Sequence, residues 1–256
     1  MDYVGYRTKA AGKFRIHSPF VYNFLTEVIK DYQSYEDYHE IEELVSRMRK
    51  EDQLIETTDF GTSSRGLVYQ TNYERVKHIT RTSSVNRPTG RLLYRIARYA
   101  KPACILELGT SLGISTMYLA KGAPGAEIHT LEGCAAKSTR AERSFNKLGI
   151  QNISSHIGRF DILLDDVLDR LDAIDIMFLD GNHREDPTIN YFEKCSEKAD
   201  NDSIFIIDDI RWSSGMKQAW EQIKNHPRVS VTLDLFSLGV VFFRKESTKQ
   251  DFVLKF

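Results

Sequence analysis

Cysteine is scarce in this chain, which holds three cysteines among 256 residues. Cys104, Cys134 and Cys195 stand far apart in the sequence, their number is odd, and no CxxC spacing occurs. This usage argues against a disulfide framework and against a zinc site. Because unpaired thiols suit a reducing compartment, we expect a cytoplasmic protein.

Long apolar runs and a strong net charge are also missing. No run approaches the roughly 18 apolar residues of a membrane span, and the first residues contain no apolar signal-peptide core. The 35 Lys and Arg residues nearly balance the 36 Asp and Glu residues, which leaves a net charge of -1. No overall field therefore attracts nucleic acid or anionic lipid, and we expect no membrane partner.

The pattern of the chain changes near residue 90. Residues 1–90 contain helical segments separated by polar loops, and Ser18 followed by Pro19 is typical of a helix start. From residue 91 onward, short apolar runs alternate with helical stretches. We predict a helical N-terminal extension or lid over residues 1–90 and a core domain over residues 91–256.

Seven apolar runs in the second part predict the strands of a sheet. The first five, from ACILEL to SIFIIDD, alternate with helices, which indicates a parallel sheet covered on both faces. The last two, VSVTLDL and LGVVFFR, lie too close together for a helix and predict an antiparallel hairpin. The predicted fold class is α/β and Rossmann-like, with a mostly parallel seven-stranded sheet that ends in this hairpin.

A glycine turn follows the first of these strands. Gly109 and Gly113 permit a tight turn and a close backbone approach to a ligand at a helix N-terminus. The third glycine of a GxGxxG motif is missing, which disfavours a bound dinucleotide. Glu132 ends the next strand, 23 residues after Gly109, where a carboxylate can accept both ribose hydroxyls of a nucleoside.

Five segments in this order, ILELGTSLGIST, HTLEG, HIGRF, FLDGNH and IIDDIRW, resemble the class I S-adenosylmethionine (SAM) dependent methyltransferases. Within that superfamily they are most similar to the O-methyltransferases related to catechol and macrolide-sugar O-methyltransferases. The resemblance covers residues from about 91 to 244. It implies SAM as the cofactor and the hydroxyl of a small molecule as the methyl acceptor.

The resemblance also implies a role for each motif residue. Glu107, Gly109 and Gly113 would face the methionine part of SAM, Ser115 would hold its carboxylate, and Glu132 would hold the ribose. The adenine would lie after the third strand, at Gly158, Arg159, Phe160 and Asp161. Arg159 departs from the small or acidic residue that relatives often have after this glycine.

Three aspartates end the later strands. Asp180 closes one strand, and Asp208 with Asp209 closes the next. Since the ends of parallel strands open on one side of a sheet, these carboxylates should converge and repel one another unless a cation joins them. An all-oxygen set suits Mg²⁺, and metal-dependent O-methyltransferases use this trio of positions.

His183 lies three residues after Asp180, where catechol-type relatives have a catalytic lysine and several sugar methyltransferases have a histidine. A histidine titrating near neutrality can take the hydroxyl proton during methyl transfer. Trp212, Met216 and Trp220 are candidates for the wall of an acceptor pocket, with Trp212 expected nearest the site and Trp220 expected in the core. The alternative for His183 is a structural loop histidine.

Several alternatives stay open at the level of sequence. A metal-free methyltransferase, a nucleic-acid or protein methyltransferase, and a non-catalytic SAM-binding protein would all share this core, and a homo-oligomer is compatible with the sequence. A basic stretch over residues 65–98 is either a ligand surface or a solvated face or interface. Its eight cations, against the single acid Glu74, are Arg65, Arg75, Lys77, Arg81, Arg87, Arg91, Arg95 and Arg98.

Overall fold

The computed structural model describes residues 3–10, 16–59 and 70–256. Its α-helices are α1 Tyr3–Lys9, α2 Pro19–Phe24, α3 Glu36–Met48, α4 Val76–Thr82, α5 Arg87–Ala100, α6 Ile114–Gly122, α7 Ala135–Lys147, α8 Phe160–Leu168, α9 Glu185–Glu197 and α10 Ser214–Asn225. A π-helical turn, Leu25–Ile29, continues α2.

The strands are short, with four to six residues each. They are β1 Leu54–Asp59, β2 Gln70–Arg75, β3 Cys104–Leu108, β4 Glu127–Glu132, β5 Ile153–Ile157, β6 Ile176–Leu179, β7 Ile204–Ile207, β8 Val231–Asp234, β9 Gly239–Phe242 and β10 Gln250–Val253. The described residues form two compact units. The central unit is Tyr32–Asp166, and the terminal unit combines the described residues of Met1–Asp31 with Val167–Phe256.

The central unit carries three parallel strands in the order β3-β4-β5. Strand β3 is buried along most of its length, since Ile105, Leu106 and Leu108 have no exposed surface. Strands β1 and β2 form a separate antiparallel hairpin in which Leu54 pairs with Arg75. Helix α3 has Glu36 and Asp37 in its first turn and Arg47 in its last turn, as the helix dipole favours.

The terminal unit carries five strands in the order β10-β8-β9-β7-β6. Strand β6 runs parallel to β7, and β9 runs antiparallel to both β7 and β8. Helix α2 packs on this sheet through Phe20 and Phe24, whose ring centroids lie 4.9 and 5.1 Å from that of Phe242. Ser18 caps α2 by accepting the Val21 N–H at 3.4 Å, as its sequence predicts.

The structure confirms the mostly parallel α/β architecture and the closing β8–β9 hairpin, and it adds three strands. Strand β10 pairs with β8 in parallel, and β1 with β2 lies inside the N-terminal third. The segments LIETTD and QTNYER mix polar with apolar residues and gave no clear strand signal. The boundary at residue 90 stays a prediction. Within the described ranges, no helix has the length and apolarity needed to cross a bilayer.

Candidate cofactor and acceptor sites

The glycine turn of the central unit connects β3 to α6. Gly109 and Gly113 both have positive φ, at 116° and 79°, and Ser111 between them has a φ of 47°. The N–H groups of Gly109 and Thr110 donate to the Leu131 carbonyl at 3.0 and 3.2 Å, which docks the turn on β4. A Cβ at Gly113 would lie 2.5 Å from Cε1 of Phe145, so backbone conformation and space both require glycine there.

Glu107 lies behind this turn with no exposed surface. The hydroxyls of Thr116 and Thr130 donate to its Oε2 at 2.5 and 2.6 Å. Burial raises the pKa of Glu107, and these hydroxyls with that of Ser115 oppose the shift. Glu107 thus braces the turn from inside, and Ser115 is buried beside it in the first turn of α6.

Glu132 is half-buried at the end of β4 and is held by two backbone donors. Its Oε2 accepts the Ser111 N–H at 2.7 Å, and its Oε1 accepts the Cys134 N–H at 2.8 Å. Because each carboxylate oxygen accepts more than one hydrogen bond, both oxygens keep capacity for a ligand. The structure therefore brings the turn and Glu132 together, as their spacing predicts.

The loop after β5 joins the same group of residues. The Gly158 N–H donates to the Glu132 carbonyl at 2.9 Å, and Gly158 has a φ of 150°. Half-buried Phe160 then begins α8. Arg159, which departs from the pattern of relatives, pairs with Asp161, with Nε 2.9 Å from Oδ1. The adenine roles of these residues stay predictions.

In the terminal unit, the predicted acids follow two neighbouring parallel strands. Leu179 and Ile207 are register partners in β6 and β7, and the Asp208 N–H donates to the Leu179 carbonyl at 2.9 Å. Asp180 and Asp208 therefore start their loops at one level of the sheet. Asp209 adopts a left-handed conformation with a φ of 53°, and its N–H donates to Asp208 Oδ1 at 2.7 Å.

His183 lies between two of these carboxylates. Its Nε2 is 3.7 Å from Asp180 Oδ1 and 3.8 Å from Asp209 Oδ2. Burial lowers the pKa of His183, and the Asp209 carboxylate only partly opposes that shift. Burial, with the neighbouring Asp209, raises the pKa of Asp208 to about 7. Burial in this cluster therefore disfavours the charged form of Asp208 and also the charged form of His183.

The described ranges contain no group of three or more His, Cys, Asp or Glu side chains arranged to hold a metal ion. The donor chemistry of Asp180, Asp208 and Asp209 nonetheless fits a hard divalent cation, since all three offer carboxylate oxygens. Burial and, after it, the neighbouring Asp209 carboxylate raise the pKa of Asp208, and a bound cation would favour the charged carboxylates instead. The metal role of this trio stays a prediction.

Sequence reasoning missed three residues that shape these loops. Asn182 has a φ of 55°, and its Nδ2 donates to the Tyr191 hydroxyl at 3.2 Å. Phe236, in the loop between β8 and β9, has a φ of 77°. Arg211 donates to the Phe236 carbonyl at 2.6 Å and to Asp234 Oδ1 at 2.7 Å. An arginine two residues after Asp209 was visible in the sequence, but its partners were not.

The three candidates for the acceptor wall have different environments. The Trp212 side chain is exposed, with 73% of the residue's surface accessible. The backbone N–H of Trp212 donates to the Asp209 carbonyl at 2.9 Å. Met216 and Trp220 are buried, and the Trp220 ring fills the space where a Cβ of Gly239 would lie. Trp220 is therefore a core residue, and Trp212 is the candidate that remains available to a ligand.

The described part of the basic stretch is largely paired inside the central unit. Glu42 binds Arg87 and Arg91, with shortest N–O distances of 3.1 and 2.7 Å, and Asp52 binds Lys77 at 2.5 Å. Arg75 contacts Asp52, and Arg81 donates to the Arg49 carbonyl. The Arg98 guanidinium lies over the Tyr35 ring, and Arg95 is buried. Arg65 lies outside the described residues. These contacts favour a structural role for the stretch.

Comparison with known families matches residues 106–210 to a methyltransferase domain. A curated relative is a probable O-methyltransferase of Mycobacterium tuberculosis, 36% identical over 63 residues. The match covers 25% of this chain and 27% of the relative, so the chain spans about a quarter of that relative's length.

Solved structures resemble the chain over most of its length. A methyltransferase of Podospora anserina bound to S-adenosylhomocysteine (SAH) has a TM-score of 0.61 and 14% identity, over 92% of this chain and 100% of the other. An O-methyltransferase of Bacillus cereus with SAH has a TM-score of 0.57 and 17% identity, over 93% and 99% of the two chains. The O-methyltransferase TomG of Streptomyces achromogenes, which acts in tomaymycin synthesis and is bound to SAM, has a TM-score of 0.55 and 20% identity, over 63% and 82%.

Proposed function

Since this chain has the Rossmann-like class I methyltransferase fold and carries a methyltransferase domain at residues 106–210, we propose that it is a SAM-dependent O-methyltransferase acting on a small molecule. The observation that carries the proposal is the Glu132 carboxylate, which two backbone N–H groups hold beside the glycine turn. A carboxylate fixed at the end of the second strand of a Rossmann-like unit is suited to the two hydroxyls of a ribose.

The other cofactor contacts follow from the same arrangement. The backbone N–H groups at the start of α6 offer donors to the carboxylate of SAM, with Ser115 in that first turn. The loop from Gly158 to Phe160 would contact the adenine, because its backbone is bonded to Glu132. Glu107 would keep the turn in place from below through its hydrogen bonds with Thr116 and Thr130.

Methyl transfer to a hydroxyl requires that the acceptor lose its proton as the carbon–oxygen bond forms. We propose His183 as the group that takes this proton, because burial favours its neutral form and Asp180 and Asp209 flank the ring. These two carboxylates would stabilise the imidazolium that results. Trp212 offers an exposed aromatic surface to the acceptor.

We further propose that Asp180, Asp208 and Asp209 hold a divalent cation such as Mg²⁺. Such an ion is a Lewis acid that makes a bound hydroxyl more acidic. The second candidate is the same methyl transfer without metal, which the contact of His183 with Asp180 and Asp209 favours. A nucleic-acid substrate has little support, since Asp52 pairs with Lys77, and Glu42 with Arg87 and Arg91, inside the central unit.

Two measurements test the proposed function. Isothermal titration calorimetry should detect binding of SAH to the purified protein, and SAM with a labelled methyl group should modify members of a panel of catechols, phenols and sugars. Labelled RNA and protein substrates belong in the same panel, and methyl transfer to one of those alone would contradict a small-molecule acceptor. Absence of SAH binding would contradict the whole assignment.

A further inference from the structure

The segment from Glu51 to Ser83 touches the candidate cofactor loops at three points of the central unit. Glu51 Oε2 lies 2.6 Å from Arg140 Nη2 of α7, and Arg140 is buried. Residues of β1 contact Cys134, which directly precedes α7. The Ser83 carbonyl, just after α4, accepts the Ser111 hydroxyl at 3.2 Å. We call the described part of this segment, residues 51–59 and 70–83, the belt.

Cys134 connects the belt to the residue that would bind ribose. Its Sγ accepts the Thr58 N–H at 3.4 Å and donates to the Glu56 carbonyl at 3.6 Å, while its backbone N–H donates to Glu132 Oε1 at 2.8 Å. The residue is only 2% exposed. A buried thiol with both a donor and an acceptor partner on one strand fixes the position of that strand relative to the start of α7.

The second donor to Glu132 is tethered to the belt as well. Ser111 gives its N–H to Glu132 Oε2 at 2.7 Å and its hydroxyl to the Ser83 carbonyl. Both N–H groups that hold the Glu132 carboxylate therefore belong to residues whose side chains are bonded to the belt. The Cys134 side chain is bonded to the first strand of the belt, β1, and the Ser111 side chain is bonded to the end of the belt, after α4.

We propose that Cys134 is a positioning residue that couples the belt to the cofactor site through Glu132. This inference rests on the proposed function, in which Glu132 binds the ribose of SAM. An isolated two-stranded hairpin is marginally stable in water, so β1 and β2 depend on their docking against α7. Docking fixes Cys134, and Cys134 fixes Glu132 in the orientation that a ribose needs.

Coupling between two sites is reciprocal. If the docked belt strengthens cofactor binding, the bound cofactor must stabilise the docked belt by the same factor. The docked belt is thus more stable when the cofactor site is filled, although no belt residue need touch the cofactor. The prediction follows that weakening the Cys134 tether lowers cofactor affinity and also removes the protection that the cofactor gives to β1.

Binding of SAH to four proteins tests this proposal: the wild type, Cys134→Ala, Cys134→Ser and the control Cys195→Ala. Cys195 is an equally buried cysteine of the terminal unit and controls for the loss of a buried thiol. Titrations are run at a temperature where thermal melts show all four proteins folded. Loss of one hydrogen-bonded tether should weaken SAH binding about fivefold in Cys134→Ala, whereas Cys134→Ser and Cys195→Ala should bind nearly as the wild type does.

A double-mutant cycle with Glu132→Ala separates positioning from general destabilisation. If Cys134 acts through Glu132, the Cys134→Ala change should have little further effect on SAH affinity once Glu132 is alanine. Hydrogen exchange supplies the reciprocal readout, because SAH should slow exchange in peptides covering Glu56–Thr58 in the wild type and not in Cys134→Ala.

The outcomes distinguish the two proposals. Wild-type protein that fails to bind SAH would overturn the proposed function and this inference with it. Normal SAH binding that is unchanged in Cys134→Ala, with equal protection of β1, would overturn the inference alone. An equal loss of affinity with and without Glu132 would also overturn it, because Cys134 would then act by another route.

Discussion

At the scale of single residues, the carboxylates of the two candidate sites differ in how their charge is accommodated. Glu132 is half-buried and accepts two backbone N–H groups, which fix the direction of its carboxylate. Asp208 is buried against Asp209, which raises its pKa to about 7. The first environment suits a fixed hydrogen-bond acceptor for a neutral sugar. The second environment suits a carboxylate that binds either a cation or a proton.

Replacement of Glu132 by alanine should weaken SAM and SAH binding by about 10- to 100-fold. The variant would remove the proposed charged hydrogen bonds to the ribose, each worth about 1.5–3 kcal/mol. Calorimetric titration measures the change, and Glu142→Ala, an exposed glutamate on α7, is the matched control. If Glu132→Ala binds as tightly as this control, Glu132 does not hold the ribose.

Replacement of His183 by alanine should lower turnover by about a hundredfold or more, the usual size of a general-base effect. The affinity for SAH should stay unchanged, since His183 belongs to the acid cluster of the terminal unit. Initial rates with labelled SAM and an acceptor found in the panel measure the effect. His39→Ala, on the exposed side of α3, is the control. Near-normal turnover in His183→Ala would make His183 a structural loop residue.

At the scale of elements, α7 anchors the segment around Glu51 within the central unit. Arg140 is buried on this helix, donates to Glu51 through Nε and Nη2, and also bonds the Ser144 hydroxyl at 2.9 Å. Glu51 is about one-third exposed, so water solvates part of its carboxylate. The pair therefore fixes a segment that has little apolar surface of its own.

Replacement of Arg140 by methionine should lower the free energy of unfolding by about 1–3 kcal/mol. The loss of a fully buried partner costs about 3–5 kcal/mol, and the partial exposure of Glu51 reduces that figure. Urea denaturation followed by circular dichroism measures the change. Arg143→Met, an exposed arginine of the same helix, should change stability by about 0.5 kcal/mol or less. Equal midpoints for the two variants would refute the anchoring role.

At the scale of the whole molecule, metal assistance and cofactor binding are separable. If Asp180, Asp208 and Asp209 hold a divalent cation, EDTA should abolish methyl transfer and added Mg²⁺ or Mn²⁺ should restore it. SAH affinity should survive the chelator, since the residues proposed to bind the cofactor lie in the central unit and the three aspartates lie in the terminal unit. Full methyl transfer in EDTA would place the protein in the metal-free class, with His183 as the base.

The sequence determined the local elements of this protein. Short apolar runs separated by helical stretches predicted β3 to β9 near their observed positions, because a strand buried on both faces has a run of apolar side chains. The turn at Gly109 and Gly113 was equally visible, since only glycine relieves both its positive φ and the contact with Phe145. The resemblance to methyltransferases rests on these same local motifs.

Only the tertiary structure decided which distant residues meet. It paired the basic stretch with Glu42 and Asp52, buried Met216 and Trp220, and joined Cys134 to a hairpin about 76 residues earlier in the chain. No periodicity encodes such contacts, because each depends on how helices and strands pack after they form. Residue type alone does not separate structural residues from candidate functional ones. The paired arginines, buried Trp220 and hydrogen-bonded Cys134 are distinguished only by their charge partners and burial in the folded chain.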